Sequence, residues 1–249
     1  MLDAKKYPEA IIDLSAAIQA DPRLADARIK LADAYLATNN NKGALDELVR
    51  AADLRPADAG LQLRAGRLLL VAGKFDAAKG RAEAVLDANP KNVEAQVLLG
   101  NAFAGLREFD AAIREFEDVI AADPGQLDAY LGLGTVNLAG GIKQDAEDAF
   151  KQATQIDPKS IPARIGLAHF YLRTDRVADA ERELKAALQV EPANLTVNRA
   201  MAILLMKSRR AAEAEPYLAT LAREWKTPAG RQMLAQSYSS ERTTRPVVR

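Results

Sequence analysis

The chain has 249 residues, 49% hydrophobic, 27% charged and only 5% aromatic, with 34 basic side chains balanced by 34 acidic ones. So much apolar content at zero net charge excludes a disordered chain, and the neutral total argues against nonspecific nucleic-acid binding, which needs a basic surface to displace counterions. The absence of cysteine and the single histidine, His169, exclude disulfides, thiolate chemistry and cysteine- or histidine-rich metal sites, and nothing points to a cofactor. Abundant alanine with few aromatic and β-branched residues favours helix over sheet. The longest apolar run, Ala200–Met206, is seven residues, far below the ~18 of a membrane span, so no direct membrane insertion is expected. The start, Met1 to Lys6, lacks the apolar core of a signal peptide. The compartment is therefore open: cytoplasm by default, periplasm or envelope if sequence lies upstream.

Proline sets the order of the elements. Pro22, Pro56, Pro90, Pro124, Pro158 and Pro192 are each 34 residues apart, and internal periods of this size mark repeat architectures. Other columns keep the step: Ala10, Ala44, Ala78, Ala112, Ala146, Ala180 and Ala214, and then Ala32, Gly66, Gly100, Gly134, Ala168 and Ala202. The first element is a helix over 1–20, half of a unit spanning 1–24. Full units follow at 25–58, 59–92, 93–126, 127–160, 161–194 and 195–228, then a partial helix at 229–240 and a disordered tail at 241–249.

Each full unit reads as two helices. In 93–126, Val93, Val97, Leu99, Ala102, Phe103 and Leu106 share one face of a helix of about fourteen residues. A turn follows at Arg107-Glu108, then Ala111, Ala112, Phe116, Val119 and Ile120 mark a second helix. Asp123-Pro124 stops it, because proline disfavours α conformation in the residue before it. Unit 127–160 departs from the pattern. Gly132, Gly134, Gly140 and Gly141 crowd its first helix, Asn137 replaces an aromatic or leucine, and Lys143 stands where Phe75 and Phe109 stand. It reads either as tolerated drift or as a soft point about which the array flexes.

Small residues at Gly100 and Ala112, aromatics at Phe103 and Phe116, and Asp123-Pro124 resemble the tetratricopeptide repeat, in a bacterial style of array. The resemblance covers nearly the whole chain. It implies an all-α fold, a right-handed α-solenoid superhelix of helix–turn–helix repeats, with first helices lining the concave side. Pentatricopeptide RNA binders have a period of 35 and a basic surface, and fit less well.

On that concave side three ladders fall on one stripe of the first helices, separated by four and three residues. The middle ladder is Asp33, Arg67, Asn101, Thr135, His169 and Ile203. Four residues earlier come Ile29, Leu63, Val97, Leu131, Ile165 and Arg199, and three later Leu36, Leu70, Ala104, Leu138, Leu172 and Met206. The expected groove is an aliphatic floor with a polar line along it, where Asn101, Thr135 and His169 bond the backbone of a bound peptide. The competing reading packs these aliphatics against neighbouring repeats. A carboxylate clamp of the chaperone-binding members is absent, since Ile29 with Asp33, Leu63 with Arg67 and Val97 with Asn101 occupy its place. His169 would gain charge below about pH 6.5 and weaken a groove ligand.

Sequence motifs for chemistry are missing. Gly73-Lys74 is followed by Phe75, so there is no phosphate loop, and Gly132-Leu133-Gly134 lacks the third glycine of a dinucleotide site. No nucleophile accompanies His169. The expected function is a non-catalytic scaffold binding a protein or peptide partner. The alternative is the substrate- or partner-recruiting region of a larger enzyme or of an envelope export assembly of exopolysaccharide type. Ile11, Leu14 and Ile18 leave the first helix partly uncovered, which implies missing upstream sequence, a partner, or self-association through that helix.

Overall fold

A computed structural model describes residues 6–224. The helix expected at 229–240 and the tail at 241–249 lie outside the described residues. Within them are thirteen α-helices and no strand: α1 (Tyr7–Ala20), α2 (Ala25–Ala37), α3 (Asn41–Leu54), α4 (Ala59–Val71), α5 (Phe75–Ala88), α6 (Val93–Leu106), α7 (Phe109–Ala122), α8 (Leu127–Gly140), α9 (Lys143–Ile156), α10 (Ile161–Arg173), α11 (Val177–Val190), α12 (Leu195–Lys207) and α13 (Ala211–Glu224). The fold is an all-α solenoid of helical repeats. The chain divides into two compact units, residues 1–136 and 137–249, with the boundary inside α8.

First helices begin and end in a repeated way. Asp58, Asn92, Ser160 and Asn194 hold equivalent positions, and each side chain accepts from the backbone N–H three residues on. This satisfies one of the donors that a helix start leaves unpaired. At the other end, Asn39, Gly73, Arg107, Gly141, Asp175 and Arg209 adopt left-handed backbone conformation. The following residue then donates its N–H to the carbonyl five positions back, from Asn40 to Tyr35 through Arg210 to Leu205, at 2.8–2.9 Å. This Schellman closure pairs carbonyls that the helix end would leave open. All six sit 34 residues apart, so the turn is part of the repeat although its residue types differ.

In the first unit the core is built from small residues that let helices approach closely. Ala32, Ala44, Ala51 and Ala52 surround Leu48 and Leu61 between α2, α3 and α4. Farther along, Phe116 of α7 is buried between Gly100 of α6 and Gly132 of α8. A Cβ would lie 2.8 Å from its ring at Gly100 and 2.3 Å at Gly132. The second unit repeats the device, with Phe150 of α9 against Gly166 of α10. Where the second helix instead carries Ala82, the residue sixteen positions later is Leu98, in the same core. In these pairs a large residue on one hairpin meets a small one on the next. Two of the four crowded glycines of 127–160 have a structural reason: Gly132 makes room for Phe116, and Gly141 forms a left-handed turn at φ 84°.

Buried polar groups tie hairpins to the loops before them. In the first unit Arg28 donates to the Pro22 carbonyl and pairs with Glu47. In the second, the equivalent Arg164 donates to the Pro158 carbonyl and pairs with Glu183 at 2.9 Å. Glu115 is equivalent to Glu47 and Glu183, but the arginine position of its repeat is Gln96, and burial, with Asp118 nearby, pushes its carboxyl above the usual range.

Candidate functional site

In the first unit α4, α6 and the start of α8 enclose a cavity of about 340 Å³. Six of the expected groove residues line it: Arg67 and Leu70 from α4, Val97 and Asn101 from α6, and Leu131 and Thr135 from α8. The three- and four-residue offsets place them there, because such positions stack on one helix face.

The other expected residues lie elsewhere. Ile29 packs half-buried against the core of α2 to α4, and Asp33 forms an ion pair with Arg64. Leu63 is 5% exposed, in the core among Ala82, Val85 and Leu98. Its helix is turned so that this position meets α5 and α6 rather than open space. Leu138, Ile165, His169 and Leu172 belong to the second unit. There Leu138 and Ile165 are half-buried, and His169 and Leu172 are exposed.

Polar groups in the cavity are already partly engaged. The Asn101 Nδ2 donates to the Val97 carbonyl at 2.9 Å, and the Thr135 Oγ1 donates to the Leu131 carbonyl at 2.7 Å. Both bonds run back one helical turn along the same helix, a common outlet for such side chains inside helices. Once the hydroxyl proton is used, Thr135 offers only lone pairs, while Asn101 keeps its amide oxygen as an acceptor and one N–H as a donor. The Arg67 guanidinium pairs with Glu94. Asp128, in the first turn of α8, lines the cavity and forms no ion pair among the described residues. Aliphatic surface from Leu70, Val93, Val97, Leu98 and Leu131 completes the wall. The cavity therefore pairs an apolar floor with a surplus of acceptors.

Val93, Glu94, Leu98, Gln126, Asp128 and Gly132 line it without having been expected. Glu94 and Asp128 lie seven residues before Asn101 and Thr135, two turns down the same stripe, so extending the ladders by one heptad finds them. Leu98 reaches the floor because Gly66 leaves it room, a Cβ there falling 2.4 Å from its methyl. No spacing rule contains that.

Among the described residues no group of three or more His, Cys, Asp or Glu side chains is placed to hold a metal ion. None of the described helices is long and apolar enough to cross a membrane.

Two family models, both described as tetratricopeptide repeat, match the chain, one at residues 63–113 and 98–161 and the other at 1–65 and 144–188. No curated protein matches it by sequence. Among solved structures, a thermophilic tetratricopeptide repeat protein of Thermus thermophilus is 23% identical with a TM-score of 0.62, covering 73% of this chain and 97% of its own. A tetratricopeptide repeat protein of Parabacteroides merdae is 18% identical with a TM-score of 0.55, covering 88% of each chain. PilF of Pseudomonas aeruginosa is 16% identical with a TM-score of 0.55, covering 85% of this chain and 96% of its own. At these identities the likeness is one of fold.

Proposed function

The chain belongs to the tetratricopeptide repeat family, and from that premise we propose that it is a non-catalytic scaffold holding a peptide segment of a partner protein in the cavity of α4, α6 and α8. Proteins of this family generally mediate protein–protein interaction. The observation that carries the finer reading is the convergence of Val97, Leu98 and Leu131 with the open acceptors of Asn101, Thr135 and Asp128 in one cavity of about 340 Å³. An aliphatic side chain of the partner rests on the floor. Backbone N–H groups or a lysine or arginine of the partner meet Asn101, Thr135 and Asp128. Acidic partner segments are disfavoured here, because Glu94 neutralises Arg67 and Asp128 remains.

Panning a phage-displayed dodecapeptide library against the full chain, then measuring a recovered peptide by fluorescence anisotropy, tests this. Leu131→Ser and Asn101→Ala are each expected to weaken binding at least tenfold with an unchanged helical circular-dichroism spectrum. Recovered peptides should carry a basic residue beside an aliphatic one. Affinity untouched by both substitutions would remove the cavity as the site.

A further inference from the structure

In the second unit, the first helices α10 and α12 read IPARIGLAHFYLR and LTVNRAMAILLMK, with no acidic residue in either. Their outward stripe is apolar: Leu172 is 41% exposed, and Ile203 and Met206 are each 36% exposed. Leu172 and Met206 are equivalent positions one repeat apart, and Arg199, Ile203 and Met206 follow one another at four and three residues on a single face. Beside this stripe stand Arg173, Arg199 and Lys207, all exposed. None of the three forms an ion pair among the described residues. Elsewhere in the unit Arg164, Arg176 and Arg210 each have a carboxylate within 2.9 Å. Those three arginines are neutralised, whereas the three cations beside the stripe are left without a carboxylate.

We propose that this face docks an acidic amphipathic helix or strand of a partner protein, with aliphatic residues on Leu172, Ile203 and Met206 and carboxylates on Arg173, Arg199 and Lys207. The site goes beyond the α4–α8 cavity, lies in the other unit and selects the opposite charge. Charge complementarity names the occupant: an exposed aliphatic stripe on helices that carry cations and no carboxylate attracts apolar groups bearing carboxylates and repels basic ones. A single-stranded nucleic acid fits less well, since the aromatics of α10, Phe170 and Tyr171, are both 2% exposed and offer no stacking platform.

The test is anisotropy of the full chain with a fluorescein-labelled peptide of alternating leucine and glutamate turns, fourteen residues long, its leucines on one helical face. The acidic peptide is expected to bind. A peptide with lysine for glutamate and a scrambled acidic peptide are both expected to bind at least tenfold more weakly. The charge reversal Arg173→Glu with Lys207→Glu, and separately the single Ile203→Ser, are each expected to lower affinity at least tenfold with unchanged helicity, whereas Leu131→Ser in the cavity leaves it unaltered. Equal binding of the scrambled or lysine peptide, or indifference to both surface variants, overturns the proposal. So does loss of the acidic peptide in Leu131→Ser, which would move it into the cavity, or sedimentation with phosphatidylserine vesicles in place of peptide binding.

Discussion

Arg209 holds φ 58° at the end of α12, a conformation that costs an L-residue roughly 1–2 kcal/mol through the approach of Cβ to the following carbonyl. Its side chain makes no hydrogen bond or ion pair among the described residues, so only the backbone closure offsets the strain. Arg209→Gly removes it, less the entropy that glycine adds to the unfolded chain. The expected gain is about 0.5–1 kcal/mol in urea unfolding followed by circular dichroism. No gain would mean that the turn is not strained. The same column carries Asn39, Gly73, Arg107, Gly141 and Asp175. Its chemistry is so mixed that the sequence shows a turn only near Arg107, while the backbone closure common to all six stays hidden. Capping residues were similarly silent: Asp58, Asn92, Ser160 and Asn194 share a short acceptor side chain, not an identity.

Helix α2 has Leu24 as its N-cap, with no capping side chain, in the column where four other first helices have one. Leu24→Asn supplies the acceptor and gives up an exposed leucine. About 1 kcal/mol of added stability is expected from a new N-cap, read as a higher urea midpoint; an unchanged midpoint would show that the start of α2 does not limit stability. Glycines give a second contrast between elements. Gly80 lies inside α5 with nothing within 4 Å of an added Cβ, whereas at Gly132 that atom meets the Phe116 ring at 2.3 Å. Gly80→Ala should therefore stabilise by about 1 kcal/mol through helix propensity alone. Gly132→Ala should lose about 1 kcal/mol or more, because overpacking a rigid ring exceeds that gain. Adding Phe116→Leu to Gly132→Ala should restore part of the loss, and two alanines of equal effect would contradict the packing account. The period of small residues was visible in the sequence. That a glycine at 132 answers a phenylalanine sixteen residues earlier was not, since the two belong to different helices brought together only by stacking.

For the whole molecule, neutral charge conceals many carboxylates held in pairs. Hydrogen bonds from Arg210 and Lys185 hold the Glu181 carboxyl down at about 2. Burial alone would raise Glu147, but bonds from Lys151 and Arg176 outweigh it and lower it. Asp26 is lowered by Arg55, Asp179 by Arg176 and Glu213 by Arg210. A depressed folded value means the unfolded chain binds more protons, so stability is present above the ordinary carboxylate range and is lost as pH falls through it. The thermal midpoint is expected to be flat near neutrality and to drop steadily from about pH 5 towards 2. Glu181→Gln should flatten part of that drop, and a midpoint indifferent to acid would contradict the pairing. Much of this molecule was legible in advance. Step, helix pairs, stopping prolines and small columns are short-range constraints repeated many times, and repetition makes a weak local signal readable. The ladders likewise brought Arg67, Leu70, Val97, Asn101, Leu131 and Thr135 to one face, because helical spacing alone decides which residues share a stripe. Only tertiary structure decided that Leu63 turns into the core and which cations lack a carboxylate. Those outcomes depend on distances between side chains of different helices, and no periodicity along one chain encodes them.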